Sequence, residues 1–230
     1  MNVALILSGG CGSRLGSEIP KQYIRVGKQC VVTYVIKTLA DHDNIDTIQI
    51  VADDKWTDTI LKEIDSIGAG KEKFRGFSAP GKTRQLSILN GLKSIRKYAS
   101  DDAWIMVHDA ARPMLSSQLI ASCFKAATGH DGVLPVLPMK DTVYYCEEGS
   151  HVDKLLDRTK IYAGQAPEVF RMDKYWKANV DLLPDEILKI NGSTEPAILA
   201  GMDIAVIAGD ENNFKITTQQ DLERFRELIR

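Results

Sequence analysis

The sequence predicts an α/β fold built on a doubly wound, mostly parallel sheet, and three observations carry that reading. Short apolar runs, at Val3 to Leu7, Asp46 to Ala52 and Trp104 to Asp109, alternate with segments whose apolar residues recur at helical spacing. Val3 to Leu7 is apolar on both faces, as a strand covered by helices on either side must be. That run opens directly into a glycine-rich turn, Leu7-Ser8-Gly9-Gly10-Cys11-Gly12-Ser13-Arg14-Leu15-Gly16, closed by Pro20-Lys21-Gln22. Open parallel sheets take their ligands at this end of the strand. A chain of 230 residues can bury one full core, so one domain over residues 1–230 is expected.

In chain order, Val31 to Leu39 reads as a helix and Asp46 to Ala52 as the second strand. Asp53-Asp54 caps a helix through Ile64 that places Trp56, Ile60, Leu61 and Ile64 on one face. Gly68 to Lys73 is a glycine and lysine loop, and Leu86, Leu89, Leu92 and Ile95 mark the next helix. Trp104 to Asp109 is a strand, and Ser116 or Ser117 caps a helix through Ala127. Gly132 to Pro138 is another strand, which Pro135 moves toward a sheet edge because proline donates no ladder hydrogen bond. The rhythm then changes. Val143-Tyr144-Tyr145 and Val152 to Leu156 flank a polar break and predict a β-arm inserted over residues 139–160. Such an arm buries little by itself and is expected to pack on a partner subunit. Ile161 to Phe170 returns to the body, and a helix from Met172 to Leu182 turns Trp176 and Val180 inward. Asn191 to Glu195 cap a helix with Pro196 in its first turn, and Ile204 to Ala208 is the last strand. Thr217 or Thr218 caps the closing helix through Ile229, with Leu222, Phe225 and Ile229 inward.

Composition excludes several functions. Lys+Arg 29 against Asp+Glu 31 is near balance, so neither nucleic acid nor an anionic membrane is an expected partner, and any anion site is local. Hydrophobic residues at 44% and charged residues at 26% describe a soluble globular chain. Cys11, Cys30, Cys123 and Cys146 lack metal-binding or disulfide-framework spacing, and Met1 to Leu7 is too short for a signal peptide. A reducing, cytoplasmic setting is expected.

The first turn supplies what a polyphosphate needs: backbone N–H groups without bulky side chains, and the cations Arg14 and Lys21. It departs from the dinucleotide fingerprint, because Leu15 stands where the third glycine belongs and Gly16 comes one place late. A glycine turn without ligand is the plainer alternative, and the two cations argue against it. Gly76 to Thr83 matches G-x-x-x-x-G-K-T, the P-loop of nucleoside triphosphatases, but Lys71 to Arg75 is too charged for the buried strand that launches such a loop. Gly81, Arg84 and Ser87, three residues apart, instead present N–H groups and a hydroxyl at a helix start. Asp109, at a strand's carboxyl end, suits a magnesium ion shared with phosphate oxygens. His108 reads as a core histidine.

Taken in order, these segments resemble the 2-C-methyl-D-erythritol 4-phosphate cytidylyltransferase family. The matching motifs are Gly-Gly-x-Gly-Ser-Arg-x-Gly with Pro-Lys-Gln at 9 to 22, Gly-x-x-Arg-x-x-Ser at 81 to 87 and Val-His-Asp-Ala-Ala-Arg-Pro at 107 to 113. Lys-Asp-Thr at 140 to 142, Asp-Arg at 157 to 158 and Asn-Phe-Lys-Ile-Thr-Thr-x-x-Asp-Leu at 213 to 222 complete the set. The ribitol-5-phosphate cytidylyltransferases, close relatives, share nearly all of them. The resemblance implies a nucleotide-diphospho-sugar-transferase fold, transfer of CMP from the co-substrate CTP to a sugar-alcohol phosphate, magnesium, and a homodimer. It implies charge stabilisation by Arg14 and Lys21, and a grip on the attacking phosphate by Lys215 and Arg158, the latter in the partner's site. Leu7, Ser8, Gly9 and Gly10 would embrace the nucleoside together with Gly81, Lys82, Thr83, Arg84, Gln85, Leu86 and Ser87. Asp109 would serve nucleotide and metal, and Arg112 and Thr142 the alcohol. Departures fall mainly on the acceptor side. Ala166-Pro167-Glu168 replaces the usual Thr-Pro-Gln, Ser193 to Ala197 replaces a Thr-Asp-Asp/Glu-Ala-Ser run, Pro80 stands where a glycine is common, and Gln165 is closer to the ribitol-phosphate relatives. The acceptor is thus methylerythritol 4-phosphate, ribitol 5-phosphate or another polyol phosphate. A P-loop phosphohydrolase and a CTP sensor without turnover are the other readings.

Overall fold

Strand β1 (Asn2–Leu7) lies in the interior of the sheet, and its alternation sorts the two layers of helices. The computed structural model describes residues 1–10, 19–68 and 70–230. After β1 the chain makes a short hairpin, β2 (Arg25–Val26) and β3 (Gln29–Cys30), then α1 (Val31–Ala40), β4 (Thr47–Val51), α2 (Asp54–Ile67), β5 (Phe74–Ser78) and α3 (Arg84–Ile95). It continues through β6 (Trp104–Asp109), α4 (Ser117–Ala127), β7 (Gly132–Pro138) and a hairpin of β8 (Val143–Tyr145) and β9 (Lys154–Leu156). The last part is β10 (Tyr162–Gly164), β11 (Glu168–Arg171), α5 (Met172–Val180), α6 (Glu195–Leu199), β12 (Ile204–Ala208) and α7 (Gln219–Leu228).

The sheet runs β12, β7, β11, β6, β1, β4, β5, with β10 extending the β11 side of β7. β11 is antiparallel to both neighbours, and the pairings β1 with β4 and β6, β4 with β5, and β7 with β12 are parallel. Ala4 and Ile6 of β1 pack in a core with α1, α2 and α4, whereas Val3 and Leu5 face α3 and α5. Each fully buried aliphatic contributes about 1.5–3 kcal/mol, so a charge at Leu5 or Ile6 would unseat one layer. Gly91 lets α3 lie close on β1: a Cβ there would fall 2.5 Å from Leu5 Cδ1. A third cluster, Val26, Val31, Ile216, Leu222 and Phe225, binds α7 to the β2–β3 hairpin and so carries the segment around Lys215 back to the first turn.

Caps follow local chemistry. Asp53, Thr83 and Ser116 accept from backbone N–H groups at the starts of α2, α3 and α4, and Thr218 forms a capping box with Asp221 at α7. Thr194 occupies the cap position of α6 without a side-chain bond; the Glu195 carboxylate accepts from Asn191 N and Gly192 N instead.

Four expectations need correction. Residues 74 to 78, for which the sequence reading offers no strand, form β5 at the sheet edge; Lys71 to Arg75, read as too charged for a buried launching strand, is a 3-10 turn at Lys71–Lys73 followed by the first two residues of that edge strand. Gly76 is inside that strand, so no P-loop begins there. Pro135 is interior: β12 pairs one side of β7, while β11 and then β10 pair the other, and that second ladder is broken between Gly164 and Glu168 beside Pro135. Leu61 is exposed, because the inward face of α2 is Ile60, Glu63 and Ile64. On α5 Trp176 packs half-buried against the core as expected, but the deepest residues are Met172, Tyr175, Ala178 and Asn179, and Val180 is only half-buried. The segment at 139–160 does contain an antiparallel hairpin, with Val143 opposite Leu156.

Candidate active site

The carboxyl ends of β1, β5 and β6 open on one cleft of about 400 Å³. Leu7, Gly9, Gly10 and Lys21 line one wall, Gly81, Lys82, Thr83, Arg84 and Ser87 the other, and Asp109 and Lys215 the floor. Eleven residues nominated from five separate segments of sequence thus share one cavity.

The first wall is held open by side chains that sequence reasoning left without a role. Gln22 is buried, and its amide donates to Ser8 O at 2.8 Å and Gly10 O at 2.7 Å. Tyr23, stacked on Trp56, accepts from Ser8 Oγ and donates to Ser8 O. The Ser8 hydroxyl therefore faces away from the cleft, toward Tyr23. Gly9 is required by proximity, since a Cβ there would meet Pro80 Cβ at 2.6 Å. Arg14 lies outside the described residues.

The second wall is the amino end of α3. Thr83 caps it, accepting from Leu86 N at 3.2 Å, and Ser87 Oγ accepts from Gly81 N at 2.9 Å. Any side chain at Gly81 would strike Leu86 Cβ at 2.4 Å, so this turn folds flat over the helix end. The free N–H groups and helix dipole of α3 make this wall electropositive. Two nominated neighbours do not line the cleft: Leu86 is half-buried behind Gly81, and Gln85 is in the core against Tyr175 and Asn179.

The floor is an ion cluster. Asp109 Oδ1 takes Arg84 Nη1 at 2.6 Å, while Oδ2 takes Lys215 Nζ at 3.0 Å and Arg112 Nε at 3.3 Å. Only 7% of the Asp109 side chain is exposed. Burial alone would raise its pKa, but Arg84, Lys215 and Arg112 together hold it far below the usual carboxylate range. Burial works to lower the Arg84 pKa, yet Asp109 and then Glu168 leave it raised. Arg112 does not line the cleft; it braces Asp109 from behind and donates to Asn213 O at 2.8 Å. Gln165 fixes the same loop through Asp210 N and O, and Asn213 Nδ2 donates to Ala166 O at 2.7 Å. His108, fully buried beside Asp109, is pushed down to about 4 by burial and stays neutral, as a core residue should.

Thr142 and Arg158 are exposed, away from the cleft, and the Arg158 guanidinium donates to Lys140 O at 2.7 Å. Gln22, Gln165, Glu168, Ser193 and Asn213 are the buried polar residues around the site that no motif role covered. The signal available was a polar side chain inside an otherwise apolar or motif-bearing segment. Among the described residues no group of three His, Cys, Asp or Glu could hold a metal by itself, so a divalent ion here would depend on substrate oxygens beside Asp109.

A protein-family model for 2-C-methyl-D-erythritol 4-phosphate cytidylyltransferase matches residues 2–230. The enzyme of that name from Thermotoga neapolitana is 33% identical over 226 residues, 98% of this chain and 96% of its own. A ribitol-5-phosphate cytidylyltransferase from Streptococcus agalactiae is 26% identical over 229 residues, 99% of this chain and 95% of its own. Among solved structures, 4-diphosphocytidyl-2C-methyl-D-erythritol synthase from Anaerococcus prevotii superposes with a TM-score of 0.85 at 23% identity, covering 100% of this chain and 96% of that one. At that identity the superposition speaks for the fold.

Proposed function

The chain belongs to the 2-C-methyl-D-erythritol 4-phosphate cytidylyltransferase family and is a cytidylyltransferase, and from that premise we propose that it transfers CMP from CTP to 2-C-methyl-D-erythritol 4-phosphate, releasing pyrophosphate. The observation that carries the reading is the single cleft in which two glycine turns face Lys21, Arg84, Lys215 and Asp109. Nucleoside and phosphates lie between the turns, where Gly10 has open space around it and Gly9 and Gly81 let the turns pack close on Pro80 and Leu86.

The acceptor phosphate, with a second pKa near ~6, is largely a dianion at neutral pH and attacks the α-phosphorus without a general base. Catalysis is then positioning and charge neutralisation. Lys21 with Arg14 takes up the charge that gathers on the α-phosphoryl group and the leaving pyrophosphate. Lys215, fixed by its contact with Asp109 and by the loop that Arg112 and Gln165 brace, holds the attacking phosphate. Asp109 is the carboxylate that would hold a magnesium ion together with triphosphate oxygens, and such an ion would supply further charge neutralisation. Arg112 supports the alcohol side.

The active unit is a homodimer. Tyr144 at 55% exposure and its cross-strand partner Leu155 at 61% leave one face of the hairpin apolar, for a second copy to cover. Thr142 and Arg158 on this arm then serve the partner's site, which accounts for their distance from their own. No described helix is long and apolar enough to cross a membrane, and the chain acts in the cytoplasm on small molecules. Ribitol 5-phosphate is the second acceptor reading, supported by the Streptococcus agalactiae relative.

The test is pyrophosphate release from CTP and magnesium with methylerythritol 4-phosphate, ribitol 5-phosphate and other polyol phosphates offered separately. Release with methylerythritol phosphate at the highest kcat/KM supports the proposal, and a preference for ribitol phosphate supports the second reading. CTP binding without release on any acceptor would leave a sensor and remove the enzyme.

A further inference from the structure

Behind the Arg84–Asp109 pair lies a second acid that the mechanism above does not use. Glu168, the first residue of β11, is 8% exposed, and its Oε2 has no hydrogen-bond partner. A buried ionised carboxylate in that position would be expensive and would draw the nearest guanidinium to itself. Arg84 does not pair with it. Its Nη1 goes to Asp109 Oδ1 and its Nη2 donates to Ser193 Oγ at 2.9 Å. Because Ser193 accepts from Arg84, its own hydroxyl proton is free to turn to the Glu168 carboxyl, with which it interacts.

Ser193 is itself held in place. The Tyr175 hydroxyl donates to Ser193 O at 2.6 Å, Tyr175 stacks on Phe170, and the Glu195 carboxylate ties Asn191 N and Gly192 N just upstream. The charged and titratable groups around Glu168 are Arg84 from α3, Asp109 from β6, Arg112 just beyond it and Tyr175 from α5. Burial raises the Glu168 pKa, against the lowering pull of Ser193 and Arg84. With Glu168 neutral, Arg84, Arg112 and Lys215 face Asp109 alone, leaving the floor two positive charges richer for phosphates; an ionised Glu168 would cancel one of them.

We propose that Glu168 is a positioning residue for the nucleotide site, acting as a neutral acid that steadies Ser193 and, through it, the Arg84 guanidinium against Asp109. The proposal rests on the cytidylyltransferase reading. It places the effect on CTP affinity, since Arg84 lines the cleft while Glu168 does not.

The experiment compares E168Q, E168A, S193A and the double variant E168A/S193A in steady-state kinetics with CTP varied, alongside CTP affinity by calorimetry and thermal melts. E168A and S193A are expected to raise the KM for CTP about tenfold and to leave kcat within about threefold. Acting in series, they are expected to be no worse together than the worse single change. E168Q, neutral and of the same shape, is expected to bring KM back within about threefold of the starting protein. Three results would each overturn the proposal: a KM for CTP unmoved in folded E168A and S193A, multiplicative losses in the double variant, or E168Q as impaired as E168A. Should E168A not fold, S193A and E168Q still decide it. A starting protein that neither binds CTP nor releases pyrophosphate would instead sink the reading on which the proposal stands.

Discussion

Replacing Asp109 by asparagine keeps the shape of the floor and removes the one charge that three cations share. Arg84, Lys215 and Arg112 approach the carboxylate at 2.6, 3.0 and 3.3 Å, and its side chain is 7% exposed. Breaking a buried ion pair typically costs ~3–5 kcal/mol, because the partners are left without compensation. Arg84 and Lys215 keep about a third of their surface in water, which places D109N near the lower end, at about 3 kcal/mol. For a domain of 230 residues that corresponds to a fall in Tm of roughly 6–12 °C. Differential scanning calorimetry without nucleotide, at 50 mM and 500 mM salt (about ten times apart), measures it; part of the loss should return at high salt as the exposed cations are screened. The sign with pH follows from the depressed pKa of Asp109. The advantage of the starting protein over D109N is fully present above about 4, the unfolded aspartate value, and shrinks as the pH falls further. A D109N variant melting within about 1 °C of the starting protein would refute the idea that this carboxylate organises the floor.

Three further expectations follow. His108, pushed down to about 4, remains neutral in the fold while the unfolded histidine takes up a proton below ~6.5, so stability is lost as the pH falls through that window. Urea unfolding at pH 7.5 and 5 should show about 2 kcal/mol of loss beyond that of His108→Gln; equal losses would contradict it. Gln22→Ala releases the carbonyls of Ser8 and Gly10 from their shared donor and should weaken CTP binding about tenfold while costing about 1–2 kcal/mol of stability, read by calorimetry and denaturant titration. If Arg158 serves the partner's site, mixing inactive Lys21→Ala and Arg158→Ala chains should restore part of the activity through heterodimers that carry one intact site. No recovery after verified subunit exchange would place Arg158 in its own site or in none.

What could be read from residues alone was whatever chemistry imposes locally. The two-faced apolar run Val3 to Leu7 announces a doubly covered parallel strand, and Ala4 and Ile6 do separate from Val3 and Leu5 into opposite cores. Both glycine turns were legible because a side chain at Gly9 or Gly81 would collide with its surroundings. What escaped depends on partners distant in sequence. The strand at residues 74 to 78 is hidden behind the charged run Lys71 to Arg75 until its edge position is known, and Pro135 suggests an edge until β12 is seen to pair beside it. Gln22 and Glu168 look like ordinary polar residues; their burial, and the Ser8, Gly10 and Ser193 groups they serve, arise only from folding. Arg14 lies outside the described residues, so its nomination stands on the motif alone.

The most direct test of the whole account is a phosphorus NMR time course on one sample of protein, magnesium, CTP and methylerythritol 4-phosphate. The expected spectrum gains inorganic pyrophosphate and the coupled pair of a new diphosphate linkage in equal amounts, and neither forms when the polyol phosphate is omitted. Orthophosphate released from CTP without an acceptor, or CTP unchanged beside methylerythritol and ribitol phosphates alike, would contradict it.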